Sequence, residues 1–165
     1  MAWTFYELAR NPETLVELRR EIASAVGVGA EAREPTYKDL KSMTFVSHVL
    51  SETLRLLPNT PFNIRAAPKD TSLPRGGGPD DNDPVGLRAG TQVIFFTHVL
   101  HLRDDLNQYD VAPVDEFQPR RWAAWTPRPW TYIPFNGVPR IRVGQQLALA
   151  EMAHVLVRVF NAIVV

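Results

Sequence analysis

Glu52 and Arg55 stand three residues apart in Ser51-Glu52-Thr53-Leu54-Arg55-Leu56-Leu57-Pro58. On a helix this spacing sets a carboxylate beside a guanidinium, and an exposed pair of this kind contributes only about 0.2–0.5 kcal/mol. A second charged group lies in Phe135-Asn136-Gly137-Val138-Pro139-Arg140-Ile141-Arg142-Val143-Gly144. There Arg140 and Arg142 are the candidates for stabilising developing negative charge. His48, His98, His101 and His154 lie outside this loop, so packing or surface roles are expected for them. Asp80-Asp81-Asn82-Asp83 offers oxygen ligands but lacks the Glu-terminated loop of a calcium site. Gly76-Gly77-Gly78 runs into Pro79 and acidic residues, the reverse of a phosphate cradle. The sequence has no cysteine, which removes disulfides, thiol nucleophiles and thiolate metal ligands from its chemistry. No metal site is expected.

Those residues need elements to hold them. Prolines divide the chain: residues 1–57 hold only Pro12 and Pro35, and the other twelve fall between Pro58 and Pro139. A helical first third, a middle of loops and strands, and a helical end are therefore predicted. Residues 3–10 read as a helix with Trp3, Tyr6 and Leu8 toward a core. Asn11-Pro12-Glu13 starts the next, with Asn11 as its cap, and Leu15, Leu18, Ile22 and Val26 give it an apolar face that Gly27 ends. Thr36 caps a short helix at 37–42, and a longer one runs from Thr44 to Leu56 with Phe45, Val49, Leu50, Thr53 and Leu54 at core spacing. Asn63–Ala67 and Thr91–Phe96 are expected strands, separated by a solvated turn at 76–84, and a short helix is expected near 98–102. Residues 107–134 read as coil, pinned by Phe117, Trp122, Trp125, Trp130 and Tyr132, and an apolar helix closes the chain over Gln145–Val164.

Three of these segments, in this order, resemble the cytochrome P-450 superfamily. Ser51–Pro58 is similar to the family's helix K signature. Asp115-Glu116-Phe117-Gln118-Pro119-Arg120-Arg121-Trp122 resembles its later Phe-x-Pro-Glu-Arg-Trp segment, with Arg120 where the family usually has Glu. Residues 135–148 resemble the haem-binding loop Phe-x-x-Gly-x-Arg-x-Cys-x-Gly, in which Phe135, Arg140 and Gly144 match. Pro74-Arg75-Gly76-Gly77-Gly78-Pro79 is similar to the fungal alkane and fatty-acid hydroxylase branch. The resemblance implies a mainly α fold with short β segments, the part of the P-450 fold from the end of helix I to helix L, as one truncated domain over 1–165. It also implies that Glu52, Arg55 and Arg121 lock together as a structural motif. Arg65, Arg140 and Phe135, with His101 nearby, would be the haem contacts if haem binds at all.

The pattern breaks where the chemistry should be. The family's iron ligand falls at Arg142, and a guanidinium has no lone pair to give a metal. Val138 replaces a loop glycine, and residues 3–8 match the end of helix I just beyond the family's oxygen-handling acidic-Thr pair. A degenerate, truncated member without haem-thiolate monooxygenase activity, and with no cofactor expected, is the first expectation. A haem-independent cyclase or isomerase of lipophilic metabolites in fungal secondary metabolism is the second, with Arg142 or Arg140 stabilising charge. A haem-binding oxidoreductase completed by a partner chain or a histidine ligand is the third. Apolar surface left by missing helices predicts a homodimer or protein partner and room for a lipophilic small molecule. Eighteen basic residues balance eighteen acidic ones, so nucleic acid is not an expected partner. No apolar run reaches the ~20 residues of a membrane span and the N-terminus lacks a basic, apolar leader, so a cytoplasmic location is expected.

Overall fold

The computed structural model describes residues 1–106, 112–137 and 140–163. Seven helices and four short strands follow in chain order among them. The helices are α1 (Ala2–Arg10), α2 (Pro12–Val26), α3 (Tyr37–Ser42), α4 (Thr44–Leu56), α5 (Thr97–His101), α6 (Arg121–Ala124) and α7 (Gln145–Ala162). The strands are β1 (Asn63–Ala66), β2 (Thr71–Gly77), β3 (Asp83–Leu87) and β4 (Gln92–Phe95).

One core joins the helices at both ends of the sequence. Leu8 of α1, Leu18, Ile22 and Val26 of α2, Leu40 of α3, Val46, Val49 and Leu50 of α4, and Ala153, Leu156, Val157 and Phe160 of α7 form one buried cluster. The α2 and α7 residues recur at intervals of three and four, the period that keeps one helical stripe turned inward. Each fully buried aliphatic side chain contributes about 1.5–3 kcal/mol. The first turns of α7 stay outside this core: Leu147 is 64% exposed, and Val143 just before the helix is fully exposed.

Helix ends follow local chemistry. Thr36 and Asp39 form a reciprocal capping box at α3, and the Arg33 guanidinium beside Asp39 holds its carboxyl far below the usual carboxylate range. Gly27 ends α2 with φ 76° and ψ −179°, a region that side chains disfavour. Asn11 departs from expectation. Its side chain caps nothing in α2, and Nδ2 instead donates to the Glu7 carbonyl at 2.8 Å, closing the end of α1. Trp3 and Tyr6 are also not core residues. Thr4 and Leu8 take the inward stripe of α1, leaving the two aromatics half exposed and edge-to-face against each other, ring centroids 5.8 Å apart.

The middle of the chain forms two separate antiparallel ribbons. β1 pairs with β4, Ile64 opposite Ile94 and Arg65 opposite Val93. The region expected as a solvated turn is the end of a hairpin, β2 with β3, whose register slips between Leu73 and Gly77 around Pro74. Helix α6 likewise interrupts the expected coil. The part of that coil at 107–111, the loop residue Val138 and Val164 of the closing helix lie outside the described residues. Among the described residues no helix is long and apolar enough to cross a membrane.

Candidate functional site: a buried ionic hub beside an exposed arginine loop

α4 carries Glu52 and Arg55 on the side away from water, and both side chains are fully buried. Arg55 Nε donates to Glu52 Oε2 at 2.8 Å and Nη2 donates to Oε1 at 2.9 Å. α6 brings Arg121, equally buried, whose Nε donates to Glu52 Oε1 at 2.8 Å. Trp122 Nε1 adds a bond to Oε2 at 2.9 Å, and the Gln118 backbone N–H one to Oε1 at 3.0 Å. One carboxylate thus receives five hydrogen bonds from two cations, an indole and a backbone amide. Such satisfaction is what makes a buried charge tolerable.

Both guanidiniums also donate to carbonyls of the irregular segment that leads into α6. Arg55 Nη1 donates to the Val114 carbonyl at 2.6 Å, and Nη2 to that of Glu116 at 3.2 Å. Arg121 donates to the carbonyls of Ala112, Pro113 and Glu116 at 3.2, 2.9 and 3.1 Å. Backbone acceptors that a helix or sheet would satisfy are satisfied here by side chains. Trp122 also meets Trp125 and Tyr132 edge-on, each with centroids 4.9 Å apart. Trp130 is the exception among the aromatics expected to pin this stretch. It is 62% exposed, and its ring lies over Gly137, where a Cβ would stand 2.2 Å from it.

The loop residues lie in a different environment. Phe135 is buried, and its carbonyl accepts the Arg142 backbone N–H at 3.1 Å. Arg140 and Arg142 are both exposed. Arg142 Nη2 donates to Thr60 Oγ1 at 2.5 Å, tying the loop to the connection between α4 and β1. Arg65, half buried on β1, donates to the Ile64 carbonyl and lies over the Phe95 ring, 5.6 Å from its centroid. Ser51, Tyr132, Phe135, Ile141 and Leu149 line a shallow cleft under the loop.

His101 is engaged by backbone on both sides of its ring. It is fully buried at the end of α5, with Nδ1 3.2 Å from the Arg55 carbonyl and Nε2 accepting the Ile133 N–H at 2.9 Å. This pairing requires a neutral ring with its proton on Nδ1. Burial is the main reason its pKa falls to about 4, aided by the nearby Arg55 and His98 charges. Burial likewise lifts the Tyr132 phenol well above its ordinary value, and its hydroxyl donates to the Ser51 carbonyl at 3.1 Å.

The sequence holds no cysteine to supply a thiolate ligand. At position 142 a guanidinium faces solvent, and the buried His101 imidazole has both nitrogens engaged by backbone. Among the described residues no three His, Cys, Asp or Glu side chains gather as a metal site. The hub residues Glu52, Arg55 and Arg121 come together, whereas Arg140 and Arg142 stand apart from them at the surface. Trp122 and Gln118 join the hub, and His101 contacts the backbone of Arg55 and Ile133, bonds that sequence reasoning did not give them. Trp122 lies inside a motif and could have been found there, whereas the backbone bonds of Gln118 and His101 leave no mark in sequence.

Known proteins resemble this chain. The family model for cytochrome P450 matches residues 1–162. A cytochrome P450 monooxygenase of Talaromyces variabilis is 45% identical over 98% of this chain and 30% of its own length. One of Alternaria solani is 49% identical over 95% of the chain and 29% of its own length. Cytochrome P450 52A13 of Debaryomyces hansenii is 43% identical over 98% and 31%. The chain therefore spans about three-tenths of the length of these relatives. With both the hub and the ordered motifs in place, the chain belongs to the cytochrome P450 family.

Proposed function

We propose that this chain is a scaffold-retaining P450 segment without haem-thiolate monooxygenase activity. The observation that carries the proposal is Arg142. It occupies the position matched to the family's iron ligand, its side chain is engaged by Thr60, and a guanidinium offers iron no electron pair. Arg65, Arg140 and Phe135 would be its inherited contacts to haem carboxylates and ring.

A second reading rests on the cleft bordered by Tyr132, Phe135 and Ile141 beside the exposed Arg142. It would suit a lipophilic small molecule held for a haem-independent rearrangement, with Arg142 or Arg140 facing developing negative charge. The exposed Phe62, Ile64, Ile94 and Phe96 around the β1–β4 ribbon would serve a protein partner or a second copy. Haem titration of the purified chain tests the main proposal. No Soret band is expected from the natural sequence, and stoichiometric uptake with a defined band would overturn it. Arg142→Cys run alongside shows whether position 142 alone decides uptake.

A further inference from the structure

We infer that His101 is a proton-sensitive tether, which fastens the segment leading into the 135–144 loop to the α4–α5 corner when neutral and releases it when protonated. The geometry is specific. Nε2 is a lone-pair acceptor for the Ile133 N–H, at 2.9 Å, and Nδ1 faces the Arg55 carbonyl at 3.2 Å. A proton on Nε2 would set N–H against N–H and leave the Ile133 amide without its acceptor.

The tether acts along the chain. Two residues beyond Ile133, the Phe135 carbonyl receives the Arg142 backbone N–H, so the segment held by His101 is the one on which the arginine loop rests. The same segment is also tied to α4 by the Tyr132 hydroxyl, which donates to the Ser51 carbonyl. That tie does not titrate in acid, because burial raises the Tyr132 phenol.

The charged and titratable surroundings oppose protonation in place. The Arg55 guanidinium on α4 and His98 on α5 both disfavour a cation there. The Glu52 carboxylate is engaged by Arg55 and Arg121, and the Tyr132 ring packs against the imidazole with centroids 5.1 Å apart. Protonation therefore selects an open state in which the ring reaches water.

Amide hydrogen exchange on the full chain reads this directly, because Ile133 N–H is itself the tethered donor. Leu156 in α7, fully buried, reports opening of the whole core. Ile133 is expected to be less protected than Leu156, and its protection factor should fall about tenfold per pH unit between about pH 6 and pH 4.5, as one extra bound proton requires. His101→Gln keeps an acceptor and a donor but does not protonate, so Ile133 should keep its high-pH protection throughout. His101→Phe should expose Ile133 at every pH while leaving Leu156 protected. Equal protection of Ile133 and Leu156 at all pH values, or a slope that persists in His101→Gln, would overturn the inference. The glutamine variant decides the matter even where phenylalanine prevents folding.

Discussion

The carboxylate of Glu21, in α2, accepts the backbone N–H groups of both Phe45 and Val46 at 2.9 and 2.8 Å, so a residue of one helix caps the start of another. α4 has no side-chain cap of its own, since Met43 precedes it. The acid also lies where the helix dipole favours negative charge. Glu21→Ala should lower unfolding stability by about 1–2 kcal/mol, the range for losing a helix cap. A urea midpoint unchanged from the natural chain would show that water replaces the carboxylate without loss.

Arg120 and Arg121 are adjacent in sequence and should differ sharply. Arg120 reaches Glu17 at 2.8 Å, but its side chain is 68% exposed, so Arg120→Ala should cost under about 1 kcal/mol. Arg121→Ala strands one side of a dry carboxylate and should cost about 3–5 kcal/mol, enough to leave little folded protein. Thermal unfolding and soluble yield compared side by side distinguish the two, and equal losses would contradict the assigned burial.

Gly27→Ala should destabilise by about 1–3 kcal/mol, the scale of strain for a side chain held in that backbone region. The added Cβ would also stand 2.9 Å from the Glu31 carbonyl oxygen, a contact that backbone alone must relieve. A denaturant midpoint at or above that of the natural chain would indicate that the turn rearranges freely.

Acid should weaken the fold through His101. His101 binds a proton near pH 4 when folded but near its ordinary 6.5 when unfolded. Its contribution is thus complete above about pH 6.5 and is lost as pH falls toward 4, by about 3 kcal/mol at most. His48, lowered by burial, acts with the same sign, whereas Glu7, raised by burial, opposes it. Unfolding free energies between pH 7 and pH 4.5 should decline, and His101→Gln should flatten most of that decline.

Sequence alone carries much of this architecture. α4 begins and ends where prolines and polarity put it, because Pro58 stops a helix whose apolar spacing is regular. The Glu52–Arg55–Arg121 hub is legible through its motifs, although nothing in the spacing says that Glu52 takes five donors. The β2–β3 hairpin is not legible: its residues are almost all exposed, so no apolar alternation marks them, and Pro74, Pro84 and three glycines mask strand propensity. Trp3 and Tyr6 mislead because aromatic size suggests a core that Thr4 and Leu8 already fill. His101 escapes because its partners are backbone groups 32 and 46 residues away.

The separation between the hub and residue 142 has an evolutionary consequence. Selection for a folded chain acts on Glu52, Arg55 and Arg121, where any change strands a charge in a dry interior. It scarcely sees residue 142, whose side chain meets solvent and one threonine. Substitution at that position can therefore proceed while the architecture persists, so sequence at the loop can drift without any intermediate that fails to fold.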